Sequence, residues 1–183
     1  MQHLKGARNN SMNFSLQNSI LILERTPNVL SALLTDLPIE WTSSNEGENT
    51  WSPFDILGHL IHGEETDWIP RTEIILKKTG EPFTPFDRFA QFEKSKDKTL
   101  TELLDKFQKL RKKNILKLKG FEISDRDLEL IGTHPELGAV SLKNLLAAWT
   151  AHDLSHISQI TRVMAKQYKG EVGIWTEYMK IMH

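Results

Sequence analysis

The chain contains no cysteine, which removes disulfides, thiolate metal ligands and a cysteine nucleophile from the possible chemistries. Any reaction must use histidines, carboxylates, hydroxyls or a bound metal. An excess of charge of one sign is also lacking. The 23 basic and 24 acidic residues leave a formal net charge of -1, so there is no global electrostatic footprint for nucleic acid. The first ten residues lack the apolar stretch of a signal peptide, and no later run approaches bilayer-spanning length. These absences lead us to expect a cytoplasmic protein with neither nucleic acid nor membrane as partner. Nor does any segment alternate apolar and polar residues long enough to read as a strand.

What is present is a soluble composition, with 39% hydrophobic and 26% charged residues in 183. That length suffices for one domain that folds without a metal. Residues 1–12 read as a flexible extension and 13–183 as the domain. Four helical patterns follow. The first spans about 14–36 and is interrupted at Thr26-Pro27, because proline removes a backbone donor. The second opens sharply at Ser52-Pro53-Phe54-Asp55, with Ser52 as N-cap and Asp55 at N3, and runs to about 78 with a kink expected at Pro70. The third spans 100–119; its many lysines read as the solvated face of a bundle helix rather than a membrane or nucleic-acid surface. The fourth is capped by Ser141 and runs to about 169. The connections over 83–97 and 120–140 are too long to be simple turns, and the first reads as a packed cover over a site. Segment 173–181 reads as a short helix docked by its aromatics. The expected fold is an all-α four-helix bundle with long connections and a short C-terminal helix.

His152 and His156 lie four residues apart in the fourth helical pattern, so both imidazoles project from one face and can grip one ion. Seven histidines in 183 residues would give roughly 0.26 such pairs by chance, so the pair gains weight only from its context. That context is an apolar stripe through Leu142, Leu145, Leu146, Trp149, Ile160 and Val163, which turns the histidines toward the core. Trp149 and Gln159 share their face. A third histidine, His59, lies far upstream.

The segments Glu24-Arg-Thr-Pro27, Trp51-Ser-Pro-Phe-Asp-Ile-Leu-Gly-His59-Leu, Glu64 or Glu65 with Trp68 and Arg71, and Ala151-His152-Asp-Leu-Ser-His156-Ile-Ser-Gln159 together resemble the DinB-like superfamily. Phe86-Asp-Arg-Phe-Ala-Gln-Phe-Glu93 and Gly132-Thr-His-Pro-Glu-Leu-Gly138 resemble one subgroup of it. The resemblance implies a four-helix bundle holding one divalent metal on three histidines, by position His59, His152 and His156. It also implies a homodimer, and its members include metal-dependent thiol transferases and related enzymes.

Three neutral imidazoles leave a coordination position open, as in catalytic rather than structural zinc sites. Zn or Ni heads the choice of metal, with Fe and Mn as alternatives, since imidazole does not select among them. The resulting expectation is a metal-dependent hydrolase or thiol-directed transferase acting on a small molecule. The alternatives are a bundle that binds a metal or small molecule without turnover, and a dimerising interaction protein. His62 lies roughly on the His59 face and is the first candidate for general acid or base. Glu64 points away from that face and Glu65 lies obliquely. Asp153, turned about 80° from the ligand stripe, either orients a ligand or is solvated. His134 either enters the site from its loop or serves its turn. Asp87 and Arg88 are expected to pair with each other, or with Arg71 and Glu65, to fix the cover.

Overall fold

Proline decides where the first helical pattern divides. In the computed structural model, which describes residues 12–183, α1 (Leu16–Leu23) ends just before α2 (Thr26–Leu34), and Pro27 sits in the first turn of α2. The extension expected over 1–12 lies, apart from Met12, outside the described residues. A short α3 (Ile39–Ser43) leads into the loop before α4 (Pro53–Thr66). The capping box forms: Ser52 Oγ accepts the Asp55 N–H at 3.2 Å, and Asp55 Oδ2 accepts the Ser52 N–H at 3.0 Å.

The kink expected at Pro70 occurs three residues earlier. α4 stops at Thr66, Asp67 adopts φ -106° and ψ -72°, and α5 (Trp68–Lys77) restarts beyond it. Pro70 then falls in the first turn of α5, where no intrahelical N–H is required. The cover segment carries α6 (Ala90–Ser95) and leads to α7 (Leu100–Gly120).

The second connection departs from the all-helical expectation. After α8 (Asp125–Leu128), strands β1 (Ile131–His134) and β2 (Gly138–Ser141) form an antiparallel hairpin pairing Ile131 with Ser141 and His134 with Gly138. Four residues per strand, with a glycine in each, are too few to imprint a period-two pattern. Ser141 then caps α9 (Leu142–Lys166), which ends slightly short of the expected 169. After α10 (Lys169–Val172), the chain closes in two 3-10 turns, Gly173–Tyr178 and Lys180–Met182. The C-terminal aromatics do not dock as expected. Trp175 and Tyr178 are exposed, and Met182 is the residue buried there.

The rods α1–α2, α4–α5, α7 and α9 make the bundle, and among the described residues no helix is long and apolar enough to cross a membrane. Its interior divides into two apolar clusters. One gathers Leu23, Trp68, Ile69, Ile115, Leu118, Leu145, Leu146 and Trp149; the other gathers Leu30, Leu34, Ile56, Leu60, Phe107, Ile160 and Val163. On α9 the buried members of the clusters are residues up to 149 and from 160 onward, with Ile157 packed at the edge of the second, so the histidines occupy the stretch between them.

The hairpin is seated by a missing side chain. Gly132 is buried, and a Cβ there would lie 2.7 Å from both Ile75 Cγ1 and Phe83 Cζ. Phe83 N–H also donates to the Thr133 carbonyl at 2.9 Å, tying the cover segment to β1. Gly132→Ala is therefore expected to destabilise the fold by about 1–3 kcal/mol through overpacking. Thermal denaturation of the two proteins would measure it, and an unchanged midpoint would show that the hairpin can retreat freely.

Candidate metal centre

α4 and α9 cross where the two apolar clusters part, and there the backbone brings three imidazoles together. His59 is buried on α4, while His152 and His156 are half-buried on α9. The Nε2 atoms of His59 and His152 are 3.1 Å apart, and those of His152 and His156 are also 3.1 Å apart. His152 Nε2 can satisfy at most one such neighbour by hydrogen bonding, because it is either a donor or an acceptor. A shared cation satisfies all three. Metal–nitrogen bonds of 2.0–2.2 Å imply ligand–ligand separations of about 2.8–3.6 Å, so the observed spacing fits a divalent ion.

The protonation states agree with that fit. Burial, reinforced by the neighbouring histidines, pushes His59 down to about 4 and His152 down to about 3. Burial lowers His156 as well. Neutral imidazoles with inward lone pairs are what a metal requires. Gln159 Oε1 lies 2.8 Å from His156 Nδ1 and so holds the proton there, leaving Nε2 free to coordinate. Nδ1 of both His59 and His152 is buried without a partner.

Aromatic rings collar the centre. Trp51 and Phe86 stand 5.0 and 5.3 Å from the His59 ring, and Trp68 stands 5.2 Å from that of His152. The histidines open onto a cavity of about 570 Å³ whose walls include Trp51, Phe86, Arg88, Phe89, Gln159 and Arg162. A second chamber of about 250 Å³ shares His59, Phe86, Arg88 and His152 with it, and adds Asp67, Arg71 and His134.

Several sequence-based expectations change here. His62 lines neither cavity. It packs against Phe86, and its Nδ1 lies 3.1 Å from Lys94 Nζ. Burial and then Lys94 lower its pKa. His62 is thus engaged by Phe86 and Lys94 rather than facing either cavity. Asp153 neither orients a ligand nor meets solvent; it is fully buried and accepts hydrogen bonds from Arg111. Trp149 is core, stacked on Trp68 at 5.7 Å, and its indole N–H donates to Glu64. His134 serves its turn, its Nδ1 accepting the N–H groups of Glu136 and Leu137, while also lining the smaller chamber. Gln159 is the one of these that reaches a clustered histidine.

The cover pairs differently too. Asp87 accepts the Phe89 and Ala90 N–H groups at the start of α6. Arg71 pairs with Asp67 at 2.9 Å, and Glu65 with Lys94 and Lys106. Burial raises Asp67 to about 6 against the opposing pull of Arg71. Sequence reasoning missed Arg111 and Asn114, which join Glu64 and Asp153 in a buried polar layer. A signal existed: with Phe107, Ile115 and Leu118 buried on α7, positions 111 and 114 fall on the core-facing stripe, where the period calls for apolar residues.

Comparison with known proteins adds the following. The family model of the DinB superfamily matches residues 22–160. YfiT from Bacillus subtilis, described as a probable metal-dependent hydrolase with an unusual four-helix bundle topology, superposes with a TM-score of 0.72. It is 20% identical, over 88% of this chain and 92% of that one. TT2238, a four-helix bundle protein, superposes with a TM-score of 0.51 at 18% identity, over 80% of this chain and 98% of that one. At such identities these likenesses speak to the fold. No curated protein matches.

Proposed function

The chain belongs to the DinB superfamily, and from that premise we propose that it is a divalent-metal-dependent hydrolase of a small molecule. The observation that carries this reading is the convergence of His59, His152 and His156 Nε2 atoms at the wall of an open cavity. The description of YfiT as a probable metal-dependent hydrolase supports it.

His59, His152 and His156 would hold the ion, with Zn or Ni the first choices and Fe or Mn the alternatives. When bound, such an ion supplies a Lewis acid that polarises a substrate oxygen and lowers the pKa of water. Gln159 fixes the His156 tautomer. Trp51, Phe86 and Trp68 set apolar surface beside the imidazoles, where a bound substrate that displaces water would strengthen electrostatic interactions. Glu46, a carboxylate in the larger cavity, is clamped by Arg162 and Lys166 and held below the usual carboxylate range, despite some opposing desolvation. It is thus unsuited to donate a proton near neutrality.

The test is to strip the protein with chelator, reload it separately with Zn, Ni, Mn and Fe, and assay small esters, amides and phosphoesters with and without added thiol. We expect one ion per chain and turnover that requires metal but not thiol. Turnover that appears only with thiol would replace hydrolysis by thiol transfer, and failure to bind any of the four ions would remove the metal reading.

A further inference from the structure

Resting on the metal-centre reading, we propose that Arg88 anchors the carboxylate of a small substrate, so that the site selects carboxylic acids with an apolar body. Arg88 belongs to the walls of both cavities, and both walls also contain His59 and His152. Its side chain is exposed to solvent and is shared by the two cavities that meet at the proposed reaction centre.

Among the described residues, Arg88 makes no side-chain hydrogen bond or ion pair. The other cations of these walls are engaged: Arg162 binds Glu46, and Arg71 binds Asp67 at 2.9 Å. Glu136, the remaining acidic group, is exposed and lines only the smaller chamber. In the larger cavity the ionisable side chains other than histidine are Glu46, Arg88 and Arg162, so one positive charge is left over before any metal is counted. An anionic ligand complements that excess, and the planar guanidinium fork matches a carboxylate in particular. Trp51, Phe86 and Phe89 supply the apolar walls.

The anchor is also well supported. Asp87 caps the turn that carries Arg88 by accepting the Phe89 and Ala90 N–H groups at 3.0 and 3.2 Å. α6 then seats on α4 at Gly58, where an added Cβ would lie 2.4 Å from Gln91 Oε1 and 2.6 Å from Ser95 Oγ. Gly58 immediately precedes His59, so the seat of α6, which begins two residues after Arg88, is registered to the metal centre. That is the placement a positioning group needs.

The experiment compares phenylacetate, phenylacetamide and phenyl phosphate as probes of the full chain, by ligand-detected NMR and tryptophan fluorescence. It uses metal-free and metal-loaded protein, with Arg88→Gln and Arg88→Lys as variants. We expect phenylacetate to bind at least about tenfold tighter than the neutral amide, the size of one charge-assisted hydrogen bond. The preference should persist without metal, vanish in Arg88→Gln and survive in part in Arg88→Lys, with one ion per chain in every loaded sample. A preference retained by Arg88→Gln would overturn the proposal, as would one seen only with metal, or none up to the solubility of the probes. Tighter binding of phenyl phosphate would overturn the assignment of a carboxylate. Because the metal-free arm reads binding alone, absence of hydrolysis would sink the proposed function while leaving this result interpretable.

Discussion

Arg111→Met is expected to destabilise the protein by about 3–5 kcal/mol at neutral pH, a large part of the 5–15 kcal/mol that holds an ordinary domain together. Arg111 is 2% exposed, Glu64 3% and Asp153 0%. Its guanidinium donates to Glu64 Oε1 at 2.8 Å, to both Asp153 oxygens at 2.5 and 3.0 Å, and to the Leu23 carbonyl at 2.8 Å. Asn114 and the Trp149 indole donate to Glu64 as well, each at 3.0 Å. Two buried carboxylates share this one cation. Burial works against the Arg111 charge, yet its two carboxylate neighbours prevail and raise its pKa; burial raises that of Glu64. Methionine would fill the volume while leaving both carboxylates without compensation, and that desolvated charge is what destabilises.

The sign of the pH dependence follows from Glu64. A carboxyl whose folded pKa lies above its unfolded value contributes stability that is fully present below the unfolded pKa and lost as pH rises through the folded one. Without Arg111 the folded value rises further. The deficit of Arg111→Met should therefore be largest at neutral pH and narrow as pH falls toward the ordinary carboxyl value of 4.5. Urea titrations at several pH values would measure it. Adding Glu64→Gln and Asp153→Asn to Arg111→Met should recover most of the loss, because the triple variant buries no charge at these positions. A single variant within about 1 kcal/mol of wild type would place the site among ordinary substitutions and show that the layer is not an electrostatic keystone.

His152→Ala should have the opposite profile: metal binding lost, fold retained. His152 Nε2 is the atom 3.1 Å from both of its partners, so its removal leaves His59 and His156 without the nitrogen between them. Affinity should fall by more than the 10–100-fold that loss of a mere outer-shell partner produces. The helices should survive, because the buried apolar anchors of α9, Leu142 to Trp149 on one side and Ile160 with Val163 on the other, flank the histidines and are left intact. Metal analysis of the purified variant and its far-ultraviolet circular dichroism, set beside chelated wild type, check the two halves. Loss of the helical signal in either sample would mean that metal binding energy is folding energy, and the centre would then be a structural staple rather than a reaction site.

Local spacing is sufficient at several positions. Ser52 and Asp55 are three residues apart, and their reciprocal cap forms. His152 and His156 are four apart on α9, and both turn toward His59. Angular position on a helix was less informative, because it gives the direction of a side chain without what waits there. Asp153 does turn aside from the histidine stripe, but it meets Arg111 of α7, 42 residues away in sequence, rather than water or an imidazole. His62 shares the general side of His59 yet finds Phe86 and Lys94, both contributed by the cover segment.

Composition and local spacing suffice for the amphipathic rods, their caps, the histidine pair and the absence of thiol chemistry, since each depends on residue content or on contacts within about one helical turn. Tertiary structure alone decided the break at Asp67 instead of Pro70, the hairpin before α9 and the buried Glu64–Arg111–Asp153 layer. It alone also set the spacing of the three imidazoles. Each of these rests on partners brought together by chain closure: Gly132 on Ile75 and Phe83, Arg111 between α4 and α9, and His59 against a helix that begins 83 residues later at Leu142. Local periodicity carries no term for such contacts, whose energy appears only when packing removes water from both sides.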